Sequence, residues 1–337
     1  MTLPTAFPDH YALAKLPYFD LIDGRLRLDP AIGPAIDVHT HLALDYLTGH
    51  ADLQAEHARV EHYLDLLRAI DLDVYINKNF SAPDLKKMEL DLTLLSFTSR
   101  GMRRTHTVPN LAREMTELSI ETSVLLPIDF PFLSKNSERW LAATKDRKGF
   151  VCFGSVHPFQ PGIGKRLDLL LGMGARGIKM HPAVQTVPPD HPRTIKLVRE
   201  CGKRGLPIFF HCGPVEIETA LGRRYSQVPR YERAIAENPD TTIILGHSGA
   251  LQMDDALGFA LKYPNVWLET ASQSLTNHKR LVAEAPSDRL LMGSDWPFYH
   301  QATTLAKTLI ATENAPKVRA GMLRDNARRL FLHMPRG

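Results

Sequence analysis

Eight short, almost wholly apolar runs recur along this chain: Ala35 to His39, Ser123 to Pro127, Phe150 to His157, Ala175 to Met180, Pro207 to His211, Thr242 to His247, Asn265 to Glu269 and Arg289 to Gly293. Runs such as Ile243-Ile244-Leu245 lack polar alternation, which suits strands covered on both faces in a parallel sheet. Between most of them lie segments of helical pattern, including Arg193 to Arg204 with Ile195, Leu197 and Val198, and Arg230 to Glu237 ahead of Asn238-Pro239. Strand and helix alternate, so right-handed crossovers follow, and eight strands is the number that closes a (β/α)8 TIM barrel. A doubly wound open sheet is the alternative. It is disfavoured because no Gly-x-Gly-x-x-Gly opens a helix after the first strand and because polar residues recur at strand ends far apart in sequence, as a closed ring requires.

Two stretches depart from the alternation. Residues 1–34 read as an extension whose Leu21 to Leu28 segment, with Asp23-Gly24 between apolar residues, forms a small hairpin. The barrel domain then spans 35–337. Within it, 43–122 reads as a mainly helical insertion after strand one, with Asp52 to Ile70 carrying Leu53, Val60, Leu64 and Leu67 at helical spacing and further helices at Pro83 to Leu95 and Pro109 to Ile120. Loops at the carboxyl ends of barrel strands build active sites, so this insertion is expected to cap one. Helices at Thr303 to Thr312 and Ala315 to Leu332 are expected to close the barrel.

Composition narrows the function classes. With 44% hydrophobic and 23% charged residues the chain is an ordinary globular protein, and its net charge of +4 is spread without a basic block, so nucleic acid is not an expected partner. No apolar run reaches membrane-spanning length. Cys152, Cys201 and Cys212 fit no disulfide framework, and prolines break up residues 1–20, so a reducing, cytoplasmic compartment is expected. A small molecule is the expected partner, with a homo-oligomer left open. The unusual number is 15 histidines.

Their placement is informative. His39 and His41 stand two apart at a strand end, so period-2 geometry points both to one side, within reach of one ion; Asp37 shares that side but lies deeper, while Val38 and Thr40 point away. His211 and His247 each end a strand before a small turn, Cys212-Gly213 and Ser248-Gly249. Asp295, in Gly-Ser-Asp-Trp-Pro after strand eight, can ligate a cation and accept a proton from water; a helix cap is its bland alternative. Lys179 is the odd member: it is neutral, or points away to hold a substrate anion, or has become a carbamate. On the same rim His157, His181 and Glu269 are substrate-binding candidates or hydrogen-bond partners of ligands, Arg223 and Arg224 could hold an anion, and Trp296 could wall the pocket. Cys212 is expected to be a packed thiol.

The series His-x-His, strand-four Lys, strand-five His, strand-six His and strand-eight Asp resembles the amidohydrolase superfamily, and Gly-Ile-Lys-Met-His-Pro, Phe-His-Cys-Gly, Gly-His-Ser-Gly and Gly-Ser-Asp-Trp-Pro resemble its amidohydrolase-related branch, over nearly the whole chain from Ile36 to Phe331. The resemblance implies one or two divalent ions, with zinc expected. His39, His41 and Asp295 would bind the more buried ion, His211 and His247 a second, and Lys179, as N6-carboxylysine, would bridge them. It implies a hydrolase of a carboxylic amide, ester or lactone, with Asp295 as base and His247 assisting. The branch also contains one-metal decarboxylases, in which the strand-five His joins the first set and the strand-six His polarises substrate; decarboxylation of an aromatic or unsaturated acid is therefore the rival. A metal-binding protein without turnover is the remote one.

Overall fold

The computed structural model describes residues 3–47 and 50–332. Its central strands are β1 (Ala35–Thr40), β2 (Ile120–Leu125), β3 (Phe150–Cys152, continuing as Gly154–Ser155), β4 (Ile178–Met180), β5 (Ile208–His211), β6 (Ile243–Gly246), β7 (Val266–Glu269) and β8 (Leu290–Leu291). Each pairs in parallel with the next, from β1 through to β8. The ring closes through backbone bonds between β1 and the chain leaving β8: Val38 N to Met292 O at 3.0 Å, Asp295 N to His39 O at 2.8 Å and His41 N to Trp296 O at 2.7 Å. This is the TIM barrel expected from the eight apolar runs.

Alternate residues of these strands serve two cores, as a barrel wall covered on both faces requires. Ile36, Val38, Val124, Leu126, Val151, Phe153, Phe209, Ile244, Trp267 and Leu291 pack on one another inside the barrel, together with Ala327 and Phe331 from the last helical turns. Phe331 meets Phe153 edge-on at 5.6 Å between ring centroids, so the carboxyl-terminal segment plugs the barrel floor. Their neighbours Ile208, Phe210, Ile243 and Leu245 face the outer helices. The helices Pro192–Gly202, Glu232–Ala236 and Gln301–Ala311 lie where helical periodicity places them, whereas after Pro316–Ala320 the chain continues as two π-helical turns, Gly321–Asp325 and Arg328–Leu332.

The early hairpin is present: Phe19–Ile22 pairs antiparallel with Arg25–Leu28. Asp23 and Gly24 both take positive φ, 50° and 71°, the backbone a two-residue primed turn needs. Between β1 and β2 the helices Ala82–Leu92 and Val108–Glu117 form, the first with a capping box between Ser81 and Asp84. The helix expected over Asp52 to Ile70 does not. That segment spends its backbone groups on distant chain: Leu53 O accepts from Val108 N, Tyr63 N and Leu64 N donate to Pro297 O and Phe298 O, and Leu66 O accepts from His10 N. Its apolar spacing reflects separate anchoring points, and Leu67, 72% exposed, anchors nothing.

Helix Gln301–Ala311 carries a fully buried lysine, Lys307, whose ammonium donates to Gln273 O at 2.7 Å. Burial pushes its pKa down from 10.5 to about 7. The unfolded chain then takes up this proton as pH falls through about 10.5, and the folded chain does so only near 7, so folding stability should rise with pH between those limits. The rise should reach a few kcal/mol, at about 1.4 kcal/mol per unit. Urea unfolding at pH 7 and 9.5 should show this slope in the natural protein and a flatter one in Lys307→Met; equal slopes would remove Lys307 as its cause.

Candidate metal centre

The carboxyl ends of five strands bring the six expected side chains together. His39 and His41 come from the end of β1, Lys179 from β4, His211 from β5, His247 from just past β6, and Asp295 from past β8. Asp295 Oδ1 lies 3.3 Å from His39 Nε2 and 3.2 Å from His41 Nε2, and Lys179 Nζ lies 3.4 Å from His39 Nε2. The His247 ring stands 4.9 Å from that of His39 and 4.8 Å from that of His211. The backbone adopts the left-handed region at both turns that present a ligand candidate, with φ of 55° at His247 and 64° at Asp295, conformations kept where the surroundings over-determine them. Gly293 permits a close approach: a Cβ there would lie 2.3 Å from Glu269 Oε1 and 2.7 Å from His39 Cβ.

A layer of hydrogen bonds orients these groups. His39 Nδ1–H faces Glu269 Oε2 at 2.9 Å, and the same oxygen accepts from His247 N at 3.0 Å while Oε1 accepts from Ala271 N. His41 Nδ1–H faces Leu126 O at 2.7 Å. Each bond leaves Nε2 with its lone pair towards Asp295, the arrangement that fixes a ligand tautomer. Gln273 Nε2 donates to His247 O at 2.6 Å, and Tyr231 Oη to His211 O at 2.6 Å.

The electrostatics keep the donors available. Burial first, and the Lys179 ammonium next, hold His39 well below the ordinary imidazole range, and burial with His181 does the same for His211. Burial holds His247 at about 4 and brings Lys179 down to about 8. Burial raises the pKa of Glu269, and the bonds from His247 and Ala271 oppose it, favouring the carboxylate that its three donors require. Neutral imidazoles beside a carboxylate suit a zinc-type ion, whose tetrahedral ligand atoms lie roughly 3.3–3.5 Å apart. The spacings from Asp295 to His39 and to His41, 3.3 and 3.2 Å, come close to this. His39, His247 and Asp295 each offer a ligand atom within 4.8 Å of the others.

Several expectations need correction. Asp37 does not share the histidines' side: register shifts in β1 put Val38 and His39 both towards the interior, and the Asp37 carboxylate turns out to Ser294 Oγ at 2.5 Å and Gln301 Nε2 at 2.6 Å. Glu269 is fully buried, its oxygens taken up by His39, His247 and Ala271. Trp296 walls no pocket, since it is buried with its indole N–H donating to Glu114 Oε2 at 2.7 Å. Arg223 and Arg224 are exposed on helix Ala220–Ser226, Arg223 lying 3.8 Å from Glu218. His157 is half-buried and tied to Gln185 O at 2.9 Å. His181 does meet the cluster, stacked on His211 at 3.9 Å between centroids. Cys212 is a buried thiol pushed well up by its surroundings, as expected of a packed one. Tyr75 and Tyr299 were not anticipated; both are buried, and the Asp295 carboxylate helps burial raise both phenols. Tyr299 follows Asp295 by four residues, but nothing local in the sequence marks Tyr75.

With this geometry in view, the similarities to known proteins are informative. Residues 128–332 match the family model described as Amidohydrolase. No curated protein sequence matches the chain. Among solved structures, an uncharacterised TIM-barrel protein from Bordetella bronchiseptica is 18% identical, with a TM-score of 0.61 over 88% of this chain and 98% of its own. A 2,6-dihydroxybenzoate decarboxylase from Rhizobium is 18% identical, with a TM-score of 0.59 over 89% of this chain and 99% of its own. An amidohydrolase from Burkholderia multivorans with bound zinc is 14% identical, with a TM-score of 0.58 over 90% of this chain and all of its own. These structures share the fold, and the family match covers more than half the chain: the protein belongs to the amidohydrolase family and is an enzyme of that superfamily.

Proposed function

We propose that this enzyme is a metal-dependent hydrolase that adds water to a carboxylic amide, ester or lactone of a small molecule, using one or two divalent ions, with zinc expected. The observation that carries this reading is Lys179, buried inside the donor cluster with its amine 3.4 Å from His39 Nε2. A depressed amine beside acidic side chains is suited to take up carbon dioxide, and the resulting carbamate would add a carboxylate that two ions can share. His39, His41 and Asp295 would hold the deeper ion, His211 and His247 the outer one, with Lys179 between. When bound, the metal acidifies water and polarises a carbonyl.

The chain's own residues do the rest. Asp295 accepts the proton of the attacking water and returns it to the leaving group, for which its Oδ1 is held between two imidazoles. With two ions His247 is a ligand; with one, His247, a neutral imidazole, orients the carbonyl, and His181 borders the substrate. The insertion acts as the cap: Ile76 N donates to Ser272 O and Asn77 Nδ2 to Val215 O, which sets Tyr75 over the loops after β5 and β7.

A zinc-reconstituted preparation should be assayed against lactones, esters and amides by pH-stat, and against aromatic and unsaturated acids by carbon dioxide release. The expected result is acid release, lost on chelation and restored by zinc, with density extending from Lys179 Nζ in crystals. Carbon dioxide release without hydrolysis would replace this reading with decarboxylation.

A further inference from the structure

Outside the barrel mouth a second set of buried donors converges from separate parts of the chain. His62 belongs to the irregular part of the insertion, Glu114 to helix Val108–Glu117, and His300 caps helix Gln301–Ala311. His62 Nε2 lies 3.1 Å from Glu114 Oε1 and His300 Nε2 lies 4.0 Å from Glu114 Oε2. All three are buried and each offers a ligand atom within 4.8 Å of the others. These separations bracket the roughly 3.3–3.5 Å expected between ligands of a tetrahedral ion.

A further observation points to a ligand. Within 4 Å, the ion-pair partners of the Glu114 carboxylate among the described residues are these two imidazoles. A buried carboxylate facing imidazoles is a setting that a cation completes. We propose that His62, Glu114 and His300 form a second divalent-cation site, of the zinc class, distinct from the barrel centre.

The surroundings supply what such a site needs. His300 Nδ1 lies 2.8 Å from His10 Nε2, so with Nε2 on the ion its Nδ1–H donates to His10 and gives up the 3.3 Å contact from Ala302 N. His10, His62, Glu114 and His300 line a cavity of about 460 Å³, from which water can fill a fourth position. An ion here ties the segment before β1, through His10, to the insertion and to the loop after β8. Glu114 also holds the Trp296 indole, beside Asp295, so occupancy steadies the backbone that presents the barrel carboxylate.

The test is anomalous diffraction at the zinc edge from crystals of the natural protein soaked in zinc chloride. A peak bounded by His62 Nε2, Glu114 and His300 Nε2 is expected. Its absence, or only a water at that position, overturns the proposal, whether or not the barrel centre shows a peak. A peak here with none at the barrel centre would leave this proposal standing and sink the catalytic assignment. In solution, His300→Ala should retain one equivalent less zinc after dialysis than the natural protein and show a smaller rise in Tm on adding zinc, the part due to the barrel centre remaining; equal zinc content overturns the site. Should that variant not fold, the diffraction result decides.

Discussion

Asp295→Asn should lower kcat by about 10³-fold in zinc-saturated enzyme, within the range that removal of a general base costs. The variant isolates the proton from the scaffold. Asp295 sits at φ 64°, a conformation Asn tolerates as well as Asp, and the two bonds that fix the loop there, Asp295 N to His39 O and Phe298 N to Asp295 O, are made by backbone atoms the substitution leaves alone. The amide oxygen still lies where Oδ1 meets His39 and His41, but the amide cannot take a proton from water. Thermal unfolding should therefore stay within a few degrees of the natural protein while turnover collapses. Activity within tenfold of normal would mean that another group is the base.

Legibility from sequence followed a simple physical division. Strands and ligand candidates were readable because both depend on local rules: an apolar run long enough for one barrel strand, ended by an imidazole or carboxylate, announces itself whatever surrounds it. His211 and His247 needed nothing beyond their own strands and the small turns after them. The errors arose where long-range partners override local pattern. The spacing of Leu53, Val60 and Leu64 imitates a helix, yet the backbone groups of Leu53, Tyr63 and Leu64 find partners tens or hundreds of residues away. A period-2 reading of Asp37 to His41 failed because the register shifts in β1 turn two successive residues inward. Glu269 was legible as a rim residue but not as the support of His39, since its partner is 230 positions distant in sequence. Trp296 and Glu114, 182 positions apart, were unreadable as a pair for the same reason.

Glu269→Gln should weaken zinc affinity about 10- to 100-fold, as loss of a ligand's outer hydrogen-bond partner typically does, and should cut activity in proportion at limiting metal. The reason is tautomeric. Glu269 accepts three donors, His39 Nδ1–H and the backbone N–H groups of His247 and Ala271, and a carboxylate can accept them all. An amide has one accepting oxygen and two N–H groups. Whichever way the substituted side chain turns, an N–H meets another donor. If it faces His39, the imidazole proton moves to Nε2, the nitrogen aimed at Asp295, and the lone pair needed by an ion is gone. If it faces Ala271, a buried backbone donor is stranded, at a cost of about 1–3 kcal/mol. The expected signature is thus a loss of activity that excess zinc largely restores, together with a lower Tm, in contrast to Asp295→Asn, which excess zinc should not rescue. Titration of both variants with zinc while following kcat separates the two roles: rescue of Asp295→Asn would demote it to a ligand, and failure to rescue Glu269→Gln would place Glu269 in the chemistry itself.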